Sequence, residues 1–131
     1  MTPLQLLKLV YISHGWSMIH LQQPLLNEQA QAWQYGPVVP SLYHAIKQYG
    51  AGAISYPIMG DTDPQQLSAE AAGLIAAVYK AYGHLSGVQL SNMTHQPDTP
   101  WSKAWTDAGK NAVISNNEIQ QHYRKLAERA A

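Results

Sequence analysis

Histidine is the side chain best suited to proton chemistry near neutral pH, and this chain has six: His14, His20, His44, His84, His95 and His122. None stands in a His-Glu-x-x-His run or in a close cluster with acids, so three or four convergent zinc ligands are not expected. Cysteine is absent, which removes thiol catalysis, disulfides and Cys-based metal sites. No Gly-x-Ser-x-Gly elbow presents a serine nucleophile, and neither of the glycine motifs that cradle phosphate occurs. The sequence therefore assigns no catalytic residue, no cofactor and no metal. Ser, His and Asp side chains distant in sequence could still meet in space, and a small hydrolase using His44 or His95 is the alternative from the enzyme class.

Two constellations remain. Trp33, Tyr35, Tyr43, His44 and Tyr49 surround Gly36, Pro37 and Pro40. Aromatics at such spacing pack a core and pin strand against helix, yet a tyrosine beside a surface corner is also a frequent contact residue. The second is Thr94-His95 with Pro100-Trp101. There the structural reading has Thr94 and His95 tying a helix end to the following loop while Trp101 packs. The functional reading joins this loop and the proline corner into one exposed surface.

The elements that must position these residues follow from local signals. Thr2-Pro3-Leu4-Gln5 is a helix start, with Thr as N-cap and proline at the first position. Residues 3–21 are apolar on most sides, as in a helix surrounded by others. Gly15 inside it implies a close crossing by another helix, and His14 and His20 read as satisfied side chains. Pro24 to Tyr35 reads as a short strand pair, or a strand and loop. Gly36-Pro37 breaks it, since proline lacks a donor and restricts its predecessor. From Pro40 the period becomes helical, with Leu42, Tyr43, Ile46 and Tyr49 on one face and Gly50 supplying a left-handed end. Ala51 to Gln66 is rich in Gly, Pro and Asp and is expected to be the most mobile internal region, with an edge strand at Ile54 to Met59. Ser68 caps a helix faced by Leu74, Ile75, Val78, Tyr79 and Tyr82. Ser86 caps a shorter one to Thr94. Asp98-Thr99-Pro100 starts a helix with Trp101 and Trp105 on one face. Ala112 to Ile114 reads as an extended link. Ser115 to Glu118 is a capping box for a last helix striped by Ile119, Tyr123, Leu126 and Ala130. The fold class expected is mainly α (α+β): one compact helical domain over residues 1–131 around a central N-terminal helix, with a small antiparallel β element.

Charged residues are only 12% of the 131 and the net charge is zero. That balance argues against nucleic acid and against a membrane surface, which both attract a basic excess. No run approaches the roughly 20 apolar residues that span a bilayer, and the first residues lack the pattern of a secretory signal. A cytoplasmic protein is expected.

The run Ala32-Trp-Gln-Tyr-Gly-Pro-Val-Val-Pro-Ser-Leu-Tyr-His-Ala-Ile-Lys-Gln-Tyr-Gly50 resembles the signature of the Panacea domain, a family of SocA-like antitoxins and phage-associated proteins. Three further blocks are similar to it and follow the same order: Leu6 to Trp16 with Pro24-Leu25; Leu90-Ser91 with Thr94-His95 and Pro100-Trp101; and Ile114 leading to Ile119 and Tyr123. The loop from Ala51 to Gln66 carries no such similarity. The resemblance implies an antitoxin that neutralises a cognate protein toxin by stoichiometric binding, with a protease or chaperone as further partners, and no chemistry of its own. A protease adaptor or transcriptional regulator is a third reading. The partner-binding candidates are Tyr35, Gly36, Pro37, Pro40, His44, Ile54, Tyr56 and Trp101, the loop being included because specificity for different toxins should lie outside the shared framework.

Overall fold

The N-terminal helix α1 spans Pro3–His20 and starts as its sequence dictates: the Thr2 hydroxyl accepts the Gln5 N–H at 3.2 Å, with proline in the first turn. The computed structural model describes residues 1–47 and 68–130. The remaining elements are β1 (Ala30–Trp33), β2 (Gly36–Val38), α2 (Pro40–Ile46), α3 (Ala69–Tyr82), α4 (Gly87–Thr94), α5 (Pro100–Ala108), β3 (Ala112–Ile114) and α6 (Asn116–Ala130). The expected strand at Ile54 to Met59, and Tyr49 and Gly50 at the end of the proline-led helix, lie outside the described residues. No helix among the described residues is long and apolar enough to cross a membrane.

The mainly helical class with a small antiparallel sheet is what the structure has. α1 packs against α2, α3, α4, α6 and β2, which is why its apolar residues run round nearly its whole circumference. Leu9, Tyr11, Ile12 and Met18 meet Leu90, Ile114, Ile119 and Tyr123 in the main core, while Leu7 joins Val38 and Ile46 in a second cluster. Gln5 draws the α3–α4 turn onto α1, its side-chain N–H groups donating to the carbonyls of Gly83 at 3.1 Å and Leu85 at 3.0 Å.

Gly15 marks the expected close crossing, and the crossing partner is Tyr123 of α6. A methyl group at position 15 would fall within 2.7 Å of three Tyr123 ring carbons. That ring is buried and packs edge-on to Trp16 at 5.0 Å, so it has little room to retreat. Gly15→Ala is therefore expected to destabilise the fold by about 1–3 kcal/mol, despite the better helix propensity of alanine. Chemical denaturation checks this, and an unchanged midpoint would contradict the packing described.

Four local expectations are corrected. Pro37 does not break a strand but lies within β2, paired with Ala32; the sheet order β2-β1-β3 makes β2 an edge, where the missing N–H costs nothing. The turn is the two-residue Gln34-Tyr35 loop. Ala112 to Ile114 is a strand, antiparallel to β1 in the register Ala30↔Ile114. It is entered through the left-handed Gly109 and Asn111 (φ 77° and 68°), with the Asn111 N–H donating to the Ala32 carbonyl at 2.7 Å. Tyr79, placed on the apolar face of α3, is 56% exposed. The Ser86–Gln89 pair caps α4 reciprocally. At α6, Ser115 accepts the Glu118 N–H, but the Glu118 carboxylate turns instead to Lys103 at 2.7 Å.

Candidate functional site

The hairpin β1–β2 carries the conspicuous constellation, and its construction begins with backbone carbonyls. Trp33, Tyr35 and Pro37 alternate along the turn, and each carbonyl accepts a side-chain donor from a different helix. The Trp101 indole N–H of α5 reaches the Trp33 oxygen at 2.6 Å. The Ser91 hydroxyl of α4 donates to the Tyr35 oxygen. The Lys8 ammonium of α1 reaches the Pro37 oxygen at 2.8 Å. Three helices thus hold five consecutive residues from below, each bond contributing about 1 kcal/mol or more.

Gly36 makes the close seating possible. Its φ of 117° belongs to glycine, and a Cβ there would stand 3.0 Å from Lys8 Nζ and 3.3 Å from Thr94 Oγ1. Beyond the turn, Pro40 opens α2 at its first position. Glu28, from the loop before β1, accepts from the Ser41 hydroxyl and from its N–H at 3.4 Å, placing a carboxylate at the helix start where the dipole favours it. Trp33 packs edge-on to Tyr43 at 4.8 Å, which joins the hairpin to α2.

The sequence-designated residues fall into separate roles on this scaffold. Tyr35 stands at the tip and is 66% exposed. Gly36 and Pro37 are buried beneath it. Pro40 is half-buried and His44 exposed, the latter edge-on to Tyr43 at 5.5 Å. Trp101 is half-buried, stacked on Trp105 at 5.3 Å and edge-on to His95 at 5.3 Å. Ile54 and Tyr56 lie outside the described residues. Thr94 and His95 bond back into their own helix: the Thr94 hydroxyl to Leu90 and Ser91 oxygens at 2.9 and 3.2 Å, and His95 Nδ1–H to the Ser91 oxygen. No hydrogen bond or ring contact joins His44 to His95 among the described residues, and no three His, Asp or Glu side chains there converge as metal ligands.

His14 is satisfied within the fold. Its Nδ1 accepts the Leu26 N–H at 3.2 Å, so Nε2 carries the proton and donates to Asn116 Oδ1 at 2.9 Å. Burial lowers its pKa, opposed by the Asn116 bond, and the neutral ring staples α1 to the loop before β1 and to the start of α6.

Lys8 is the residue that motif reading missed. Its side chain has no exposed surface, no carboxylate pairs with it among the described residues, and burial pushes its pKa down from 10.5 to about 7. The signal was present in the sequence: Lys8 is the one Lys, Arg, Asp or Glu between Thr2 and Leu21. A lone charge in a helix that is apolar all round has a reason to be there.

The family model described as "Antitoxin SocA-like, Panacea domain" matches residues 6–102, a span that contains Lys8, the whole hairpin and Trp101. A similar curated protein is "Antitoxin SocA" of Caulobacter vibrioides (strain NA1000 / CB15N), 28% identical over 135 residues that cover 92% of this chain and 71% of the relative. No solved structure matches.

Proposed function

The chain belongs to the SocA-like antitoxin, Panacea-domain family, and we propose that it neutralises a protein toxin in the cytoplasm by binding it directly, one to one, with the tip of the β1–β2 hairpin as anchor. Membership supports an antitoxin role in general. The observation that carries the finer reading is Tyr35, two-thirds exposed on a turn whose carbonyls are held by Lys8, Ser91 and Trp101. An aromatic on a fixed backbone loses little freedom when a partner covers it, which is what makes a contact strong. Pro40 and the exposed His44 on α2, with Ile54 and Tyr56, extend the proposed surface on sequence grounds. A stable complex of this kind buries about 800 Å² on each partner, more than one tyrosine supplies, so the surface includes neighbours on α2.

Binding by coverage has a stoichiometric signature. When toxin activity is titrated with this protein, inhibition is expected to saturate near one equivalent. Full inhibition by a small fraction of an equivalent would demonstrate turnover and replace this reading with the hydrolase one, in which His44 or His95 acts.

A further inference from the structure

A cleft of about 1040 Å³ lies between α5 and α6, bordered by the turn from Gln96 to Pro100. Continuous with it is a recess of about 40 Å³ that reaches Tyr11 of the central helix and is walled by Tyr82, Tyr123 and His122. The Tyr11 hydroxyl is buried there without a hydrogen-bond partner among the described residues. A buried hydroxyl left unpaired costs stability, and its retention in a core position points to a partner beyond the described residues.

Met93, Pro100 and Leu126 give the recess an apolar wall, the Thr94 and Thr99 hydroxyls donate to nearby carbonyls, and the remaining polar groups are three tyrosines and His122. Tyr82 already accepts the Trp16 indole N–H at 3.1 Å, which leaves its own hydroxyl proton free to donate. Burial raises the pKa of Tyr11 and of Tyr123, so both phenols keep their protons. The His122 pKa is lowered by burial and then by Arg129 and Lys125, a positive field that an anion would relieve. The acids of the cleft, Asp98, Asp107 and Glu118, border its outer part and do not line the recess. One water needs roughly 10–15 Å³ of such space, so the recess holds a group of about three heavy atoms.

We propose that this recess binds a carboxylate at the end of a polar chain, whose remainder lies along the α5–α6 cleft. The carboxylate would accept from the Tyr11 and Tyr123 hydroxyls and the His122 N–H, with Lys125 and Arg129 nearby. A peptide C-terminus and a small free acid share this chemistry, and neither depends on the toxin-binding reading of the hairpin.

The test uses the full chain and three probes: tetra-alanine with a free C-terminus, the same peptide amidated, and succinate. The readout is the NMR shift of the Trp16 indole N–H, which reports on Tyr82. The free-acid peptide is expected to bind at least about tenfold more tightly than the amide, as hydrogen bonds to a charged group should, and Tyr11→Phe should erase that preference. Succinate binding as tightly as the peptide identifies a free acid as the ligand; weaker succinate binding identifies a chain end. Equal binding of acid and amide, no shift with any probe, or an undiminished preference in Tyr11→Phe would each overturn the proposal. Thermal melting supplies the structural control: Tyr11→Phe should melt no lower than the parent protein, and a lower melting temperature would show the hydroxyl already paired within the fold, which also overturns it.

Discussion

Lys8→Met is expected to make the folded protein more stable at pH 7 while weakening its grip on the toxin. The lysine pays a desolvation cost: a folded-state pKa lowered from 10.5 to about 7 corresponds to about 5 kcal/mol lost at neutral pH. Methionine fills the same volume without charge but leaves the Pro37 carbonyl unpaired, which takes back about 1–3 kcal/mol. The net expectation is a gain of about 2–3 kcal/mol, within the range found when buried charges are replaced by apolar side chains. Because the folded pKa lies below the unfolded one, the unfolded chain holds the extra proton between these values. The parent protein should therefore gain stability as pH rises from 7 toward 10, and lose it as pH falls through the same window, with no further loss from this group below about 7. In Lys8→Met that slope should vanish. Tyr11 and Tyr123, whose pKa values burial raises, act oppositely: their contribution is present below about pH 10 and is lost as pH rises beyond it. Urea denaturation at pH 7, 8.5 and 10 follows the Lys8 contribution, since that of the tyrosines changes only above this window, and a parent protein indifferent to pH across it would contradict a buried, unpaired Lys8.

The functional half of the expectation follows from the same bond. Without Lys8 one of the three anchors beneath the hairpin is gone, and the turn samples more conformations before it meets a partner. Binding must then reorder it. A loss of about tenfold in toxin affinity is expected from one such hydrogen bond, in a variant that folds better than its parent.

How much of this was legible depended on whether the signal was local. Thr2-Pro3, Ser68, Ser86 and Thr99-Pro100 each marked a helix start that the structure has, because a cap is satisfied within four residues of itself. Gly15 announced a close crossing, but Tyr123, over a hundred residues away, could not be named from it. Pro37 was misread because its tolerance depends on β2 being an edge strand, a property of the sheet rather than of the dipeptide. β3 was missed because three residues gain strand character only by pairing with β1. The aromatic corner was recognisable as a constellation; what holds it was not, since Lys8, Ser91 and Trp101 come from three helices. Lys8 went unnoticed because a lysine on a helix is ordinarily a solvated one.

Tyr35→Ala carries the second large effect. The side chain is exposed and projects from a turn whose geometry is set by backbone bonds at Trp33, Tyr35 and Pro37, so its removal should change folding stability by no more than about 0.5 kcal/mol. If it is the anchor of the toxin interface, its truncation should cost about 2–4 kcal/mol of binding, as central aromatic contacts do. His44→Ala, on α2, should cost less.

If the hairpin tip is the surface that holds the toxin, calorimetric titration of the purified toxin into parent and Tyr35→Ala protein will separate the two. One-to-one binding by the parent is expected, with a Kd raised by about thirtyfold or more in the variant and the two proteins melting together. Equal affinity in the two, at equal stability, would place the toxin on another face of the molecule and contradict the hairpin tip as its anchor.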